Sequence, residues 1–213
     1  MSQPLKLVYW DFPFWRAEVC RLTLHLGDVP FEDLRVTRAQ SQAMKGAGQL
    51  PFGQLPVLMV GDEVIPQTGA IARYCGKLAG LYPENDPLAA ARVDAVLDAA
   101  TDITWQVRPS IRERDPAKKA SMRAQLAAEV LPIWLQRLES WLDRYGEHGY
   151  MVGPELTIAD LAIWRLIGWL RGGVLDGIPT SVADHLPRLM AHQQKIGEHP
   201  KIHAWMSERY GDR

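Results

Sequence analysis

Gln54-Leu55-Pro56-Val57-Leu58, followed by Ile65-Pro66-Gln67-Thr68-Gly69-Ala70-Ile71-Ala72-Arg73-Tyr74, is the stretch on which the reading of this chain turns. A proline entering an apolar strand lacks the N–H that a central ladder needs. Pro56 therefore marks a strand start or a turn, and the bond before it is a candidate for the cis isomer. Eleven residues on, Gln67-Thr68 precedes a run with helical spacing. A side-chain amide, a hydroxyl and the free N–H groups of a helix start then converge where an anion binds well. Together the two segments point to a site for a peptide-like carboxylate.

Outward from this stretch, residues 1–80 alternate strand-like and helix-like segments. Leu5 to Tyr9 reads as a short strand, Arg16 to Leu26 as a helix that Gly27 ends, and Phe31 to Val36 as a second strand. Ser41 to Gly53, rich in Gly and Gln, reads as a loop with one helical turn. Val57 to Val60 and Glu63 to Ile65 flank the hairpin signal Gly61-Asp62. The order β-α-β, then β-β-α, predicts a mixed four-stranded sheet. Leu81-Tyr82-Pro83-Glu84-Asn85-Asp86-Pro87 is the natural linker. Beyond it the apolar period is helical over Leu88 to Val107, Ala117 to Tyr145, Ile158 to Leu170 and Leu186 to Gly197, with a shorter helix from Pro200. The expected organisation is an α/β domain over 1–81 and an all-α domain over 88–213. Thr157-Ile158-Ala159-Asp160 is a capping box with Asp for the usual Glu, which predicts a helix start.

The chain has 213 residues, 47% of them hydrophobic and 23% charged, with a formal net charge of -1. It is long enough for a sizeable core, and nothing in its charge draws it to nucleic acid or a membrane surface. Cys20 and Cys75 are the only cysteines, and both lie in apolar periodic segments. They read as buried free thiols of a reducing compartment. With no basic-then-apolar leader and no apolar run of about 18 residues, the expectation is a cytoplasmic protein with no membrane partner. No Gly-x-Gly-x-x-Gly opens a helix, no Gly-Lys-Ser/Thr follows a glycine loop and no Gly-x-Ser-x-Gly occurs, which argues against dinucleotide, phosphate-loop and esterase chemistry. His199 and His203 are four apart, but Pro200 makes His199 a helix N-cap residue, so no zinc site is expected.

The opening stretch resembles the glutathione transferase family, whose thioredoxin-like N-terminal domain carries the pattern Leu-Pro-Val-Leu … Gln-Ser-x-Ala-Ile-x-Arg-Tyr. Leu7-Val8-Tyr9-Trp10 with Arg16-Ala17-Glu18 is similar to its sigma-type, tyrosine-using branch, which includes prostaglandin-type isomerases. The resemblance covers nearly the whole chain. It implies the transferase fold, a thioredoxin-like domain followed by an all-α domain, and glutathione as co-substrate with no metal. Leu55 and Val57 would offer backbone to the cysteinyl part, with Pro56 between them, and Gln67 and Thr68 would hold the γ-glutamyl end.

A thiol is a poor nucleophile until it ionises, near pH 8.5 when free, and a hydroxyl donor placed against the sulfur favours the thiolate. By the resemblance Tyr9 is that catalytic donor and Arg16 the nearby fixed charge. The bland readings are a strand-end aromatic and a surface charge at a helix start. The segment between them is one residue longer than the sigma-like spacing and dense in aromatics. Phe14 and Trp15 either line a wide hydrophobic pocket or pack on the neighbouring domain. Lys45 matches the lysine of the glycyl carboxylate, although the tryptophan usual before it is missing. It is equally readable as a solvated loop charge. Gln54 sits where a contact to the same end of the ligand is expected. Asp94, Asp98 and Asp102 share one helix face, and Asp102 matches the aspartate that reaches the γ-glutamyl ammonium across a subunit interface. Thr101 stands where metal-binding members have an acidic residue. Farther along, Trp105 and Arg108 are candidates for contacting the second substrate, with core packing and a helix-dipole charge as the alternatives.

The reading that follows is a homodimeric glutathione transferase acting on hydrophobic electrophiles. A glutathione-dependent isomerase and a non-catalytic glutathione-fold binding or structural protein are the alternatives. A reductase would ordinarily have Cys or Ser where Tyr9 stands.

Overall fold

The computed structural model describes residues 3–211. Strands β1 (Leu5–Trp10), β2 (Glu32–Val36), β3 (Val57–Val60) and β4 (Glu63–Pro66) form one sheet in the order β2-β1-β3-β4. β1 runs parallel to β2 and antiparallel to β3, and β3 pairs antiparallel with β4. The inner strands are buried on both faces. Leu7 and Leu58 join the main core, whereas Val8 and Val57 form a smaller cluster with Val36 and Leu50 on the opposite face. The mixed four-stranded sheet is the one the sequence predicts, and the Leu55–Pro56 bond is cis.

Helices α1 (Trp15–Leu26) and α3 (Thr68–Ala79) pack together along the main-core face. Their ends approach so closely that a Cβ on Gly27 would lie 2.4 Å from the Cβ of Ala79, which only glycine avoids. Between β2 and β3 the structure corrects the expected loop: Arg38–Gly46 is a helix, α2. A capping box nucleates it. The Thr37 N–H donates to Gln40 Oε1 at 2.8 Å and the Gln40 N–H to Thr37 Oγ1 at 3.3 Å. The glycines that suggested a loop fall at or beyond its end.

The remainder is helical: α4 (Pro87–Arg112), α5 (Pro116–Gln125), α6 (Leu131–Tyr145), α7 (Ile158–Arg171), α8 (Pro187–Gly197) and α9 (Pro200–Tyr210). Asp86 caps α4 by accepting from the N–H groups of Leu88 and Ala89, each at 3.0 Å. α4 runs past Val107 and takes Pro109 into its last turns. The single helix expected over Ala117 to Tyr145 is broken by a π-helical turn, Leu126–Val130, just before Pro132. A proline deprives the preceding turn of one N–H and pushes against its carbonyl, and a widened turn relieves that clash. Among the described residues no helix is long and apolar enough to cross a membrane.

α7 is the spine of the helical half, in contact with α1, α4 and α8. Its start is held by Asp160, which is fully buried. One carboxylate oxygen accepts from the Thr157 N–H at 2.8 Å, and the other accepts from the Met151 N–H at 2.6 Å and faces His192 Nε2 at 3.1 Å. The Thr157 hydroxyl accepts from the Ala159 N–H at 3.3 Å as well, and the reciprocal capping box that the sequence predicts between Thr157 and Asp160 is present. Asp160→Ala would orphan these donors in a dry interior, at about 1 kcal/mol or more each. Urea unfolding is expected to show a loss of about 3 kcal/mol; a loss below about 1 kcal/mol would contradict this role.

Candidate functional site

Tyr9 sits at the end of β1, 4% exposed, and its hydroxyl has no hydrogen-bond partner among the described residues. The loop that follows is pinned from two sides. Arg21 of α1 donates to the Trp10 carbonyl at 3.3 Å, and Arg165 of α7 to the Pro13 carbonyl at 2.8 Å. The aromatic rings then run in sequence from Tyr9 to Phe12 at 5.7 Å, to Phe14 at 5.9 Å and on to Trp169 at 5.0 Å, the last edge to face. The extra residue in this loop thus does not leave it loose.

A cavity of about 740 Å³ opens in front of Tyr9. It brings together Tyr9, Arg16, Gln54, Leu55, Pro56, Gln67 and Thr68 on one wall and Thr104, Trp105, Arg108 and Arg112 of α4 on the other, with Phe14 between them. Two observations mark the α3 end as built for a ligand. Gln67, the residue before the helix, is held at φ 72°, a left-handed conformation that costs a non-glycine residue about 1–3 kcal/mol. Its side chain makes no cap, so the first N–H groups of α3 keep their capacity for an anion. Thr68 is 3% exposed and its hydroxyl has no partner. A buried hydroxyl left unpaired on a cavity wall keeps its hydrogen-bonding capacity for whatever enters the cavity.

Burial raises the Tyr9 pKa, and the opposing pull of Arg16 and Arg21 is the smaller effect. The phenol therefore stays protonated at neutral pH and is a donor. Arg16 is held with its guanidinium over the Trp15 ring at 5.0 Å. Arg108 lies over the half-exposed Trp105 ring at 4.3 Å, so the α4 wall offers an aromatic face with a cation beside it.

Two expected residues are not on this wall. Trp15 is fully buried and donates its Nε1–H to Thr104 Oγ1 at 2.8 Å. It braces α1 against α4 and cannot touch a substrate, so packing, not pocket lining, is its role. Lys45 is exposed and its chain crosses Gly53, where an added Cβ would meet Lys45 Cε at 2.9 Å. Arg38, at the other end of α2 and about 10 Å away along the helix axis, reaches the cavity in its stead. Asp102, expected to reach across a subunit interface, is exposed, and on the same helix Asp94 and Asp98 meet Arg73 at 2.6 and 3.9 Å. Arg38, Phe52, Thr101 and Ile111 are among the wall residues that sequence reasoning missed. The box at Thr37 was the available signal for Arg38.

A family model described as "Glutathione S-transferase, N-terminal domain" matches residues 5–77, and one described as "Glutathione S-transferase, C-terminal domain" matches residues 101–209. The chain is 35% identical over 208 residues to Glutathione S-transferase 1 of Ascaris suum, covering 96% of each chain. It is 29% identical over 204 residues to Hematopoietic prostaglandin D synthase of Gallus gallus, again covering 96% of each. Among solved structures, prostaglandin synthase D of Nilaparvata lugens superposes with a TM-score of 0.84 at 29% identity, over 97% of this chain and 98% of that one.

The protonation state of Tyr9 is directly measurable. The ultraviolet difference spectrum between ligand-free wild type and Tyr9→Phe is expected to show no phenolate band up to about pH 10, the ordinary tyrosine value. A band half-grown by about pH 8 would contradict a burial-dominated Tyr9.

Proposed function

The chain belongs to the glutathione S-transferase family and has glutathione as its co-substrate; from that premise we propose that Tyr9 holds the glutathione sulfur as thiolate and that the thiolate adds to hydrophobic electrophiles. The observation that carries this reading is the Tyr9 hydroxyl, protonated and without a protein partner, on the same wall as the unpartnered Thr68 hydroxyl and the uncapped start of α3.

In this reading the γ-glutamyl carboxylate lies at the α3 N-terminus, accepting from the backbone and from Thr68, with the Gln67 amide beside it. The backbone of Leu55 and Val57, on either side of Pro56, meets the cysteinyl part. Arg38 and Gln54 take the glycyl carboxylate, with Lys45 at longer range. The sulfur then faces Tyr9. A hydrogen bond from a neutral phenol, with the fixed charge of Arg16 behind it, favours thiolate over thiol and so raises the nucleophile's concentration at neutral pH. The electrophile sits between Phe14 and the Trp105–Arg108 pair, and its developing negative charge is offset by Arg108. Residues 1–81 form the glutathione-binding domain of this proposal and 88–213 the domain that lines the electrophile side. We also read the protein as a cytoplasmic homodimer in which Asp102 reaches the partner's γ-glutamyl ammonium, the Asp94–Arg73 pair lying close to the two-fold axis.

Two substitutions separate binding from chemistry. Thr68→Val is expected to weaken glutathione binding about tenfold or more without loss of fold, because its hydroxyl has no protein bond to lose. Tyr9→Phe is expected to keep the affinity but raise the pKa of the bound thiol toward about 8.5, with turnover of a generic aromatic electrophile at pH 7 falling by up to tenfold per unit of that rise. Unchanged thiol pKa and turnover in Tyr9→Phe would remove Tyr9 from the mechanism. For the dimer, light scattering is expected to give twice the 24.0 kDa chain mass at micromolar concentration, and a clean single-chain species would contradict it.

A further inference from the structure

Strand β2 carries an acid and a base where a sheet ordinarily presents apolar side chains to its core. Asp33 and Arg35 lie two residues apart, so they share one face of the strand. In the parallel register they stand beside Leu7 and Tyr9 of β1, whose side chains join the main core with those of α1, whereas Val36 belongs to the small cluster on the other face. The two charges therefore point toward α1 and the Tyr9 end of β1.

Asp33 is the hub of a chain of ion pairs that reaches the loop after Tyr9 from two directions. One carboxylate oxygen accepts from Arg21 Nε at 2.8 Å and the other from Arg35 Nε at 2.9 Å. Each arginine then places a further nitrogen on the loop. Arg21 Nη2 donates to the Trp10 carbonyl at 3.3 Å, and Arg35 Nη1 to the Asp11 carboxylate at 2.7 Å. The Arg21 guanidinium also lies over the Tyr9 ring at 6.0 Å, and that of Arg35 over the Tyr210 ring at 5.1 Å. Asp11 is followed by Phe12, whose ring rests against that of Tyr9 at 5.7 Å. An exposed Asp11 paired with an arginine contributes little by itself. Here, however, the arginine is oriented by Asp33, and a guanidinium fork fixed by one carboxylate presents its remaining N–H groups in a set direction. The Asp33 side chain is only 15% exposed, so the arrangement is held from the sheet.

We propose that Asp33 is a positioning residue for the reaction: through Arg21 and Arg35 it fixes the two residues that follow Tyr9, and so sets where the Tyr9 hydroxyl stands when the glutathione sulfur arrives. The proposal rests on the reading of Tyr9 as the group that stabilises the thiolate. Asp33 does not line the cavity in front of Tyr9, so it touches neither substrate there. A displacement of about 1 Å at a reacting group costs up to about a hundredfold in rate, which makes the placement of one hydroxyl worth this much scaffolding. The contacts proposed for the γ-glutamyl and cysteinyl parts of glutathione, at the start of α3 and before β3, lie across β1 from β2. Disturbing Asp33 therefore separates chemistry from binding. An asparagine there accepts from one guanidinium and turns an N–H toward the other, whereas a glutamate restores both oxygens.

The test compares the full chain as wild type, Asp33→Asn, Asp33→Glu, Tyr9→Phe and the double variant of Asp33→Asn with Tyr9→Phe. Glutathione affinity is read by calorimetry, the bound thiolate by its absorbance, and turnover with a generic aromatic electrophile. Asp33→Asn is expected to keep the glutathione Kd within about twofold while the pKa of the bound thiol rises and kcat at pH 7 falls about tenfold. Asp33→Glu should recover most of that loss. Adding Asp33→Asn to Tyr9→Phe should lower kcat no further, because the hydroxyl being positioned is gone. A wild-type thiol pKa and kcat in Asp33→Asn, or a fully additive loss in the double variant, would overturn the proposal. If Asp33→Asn does not fold, Arg35→Gln keeps the Asp33–Arg21 pair and releases Asp11. The same rise in thiol pKa is expected of it, and an unchanged value would overturn the proposal equally. A measurement without glutathione separates the inference from its premise. With ring-labelled tyrosines, the Tyr9 NMR resonance, assigned by its loss in Tyr9→Phe, should shift and broaden in Asp33→Asn while that of Tyr145 on α6 stays in place. A moved Tyr9 signal with Tyr9→Phe kinetically silent would leave the positioning standing and count against the thiolate reading. An unmoved signal would overturn the positioning itself.

Discussion

Helix α1 has almost no face turned to water, and its two charged side chains in mid-helix, Glu18 and Arg21, are both fully buried. Neither could stay there alone, because an unpaired charge in a dry interior costs several kcal/mol. They meet at 2.7 Å, and each uses its remaining capacity on a different part of the chain. Arg21 bonds Asp33 of β2 at 2.8 Å and the Trp10 carbonyl at 3.3 Å. Glu18 accepts from the Tyr210 hydroxyl at 2.6 Å and from Trp205 Nε1 at 3.3 Å, both on α9. One ion pair thus ties the sheet, the Tyr9 loop and the last helix to α1. Burial of the network pushes the Tyr210 phenol upward, so it too remains a donor at neutral pH.

Because the scaffold around α1 is so fully paired, the exceptions carry information. Most buried polar groups in a folded protein find partners, and those that do not concentrate where a ligand will complete them. Here the Thr68 hydroxyl and the left-handed Gln67 are such exceptions. Each lies on the wall of the cavity that also contains Tyr9.

What could be read from the sequence was whatever local backbone decides. Tyr9 ends a strand, Pro56 enters one and Gln67-Thr68 starts a helix, so their positions follow from short-range pattern, and the cavity that joins them follows from the order of the elements. Trp15 was ambiguous because adjacent residues at a helix start point in different directions. Phe14 faces the cavity while Trp15 turns into α4. The α2 helix was hidden by the glycines near its end, which outweighed the Thr37–Gln40 box in the reading. Lys45 depends on a difference in loop length, which periodicity does not report.

The central claim is that Tyr9 and the start of α3 hold the two ends of one bound tripeptide. A crystal structure of the protein with glutathione tests it most directly. The account predicts the cysteinyl sulfur within hydrogen-bond reach of Tyr9 Oη, and the γ-glutamyl carboxylate on the first N–H groups of α3 with Thr68 Oγ1 donating to it. Glutathione bound with its sulfur turned away from Tyr9, or with Thr68 still unpaired, would contradict it.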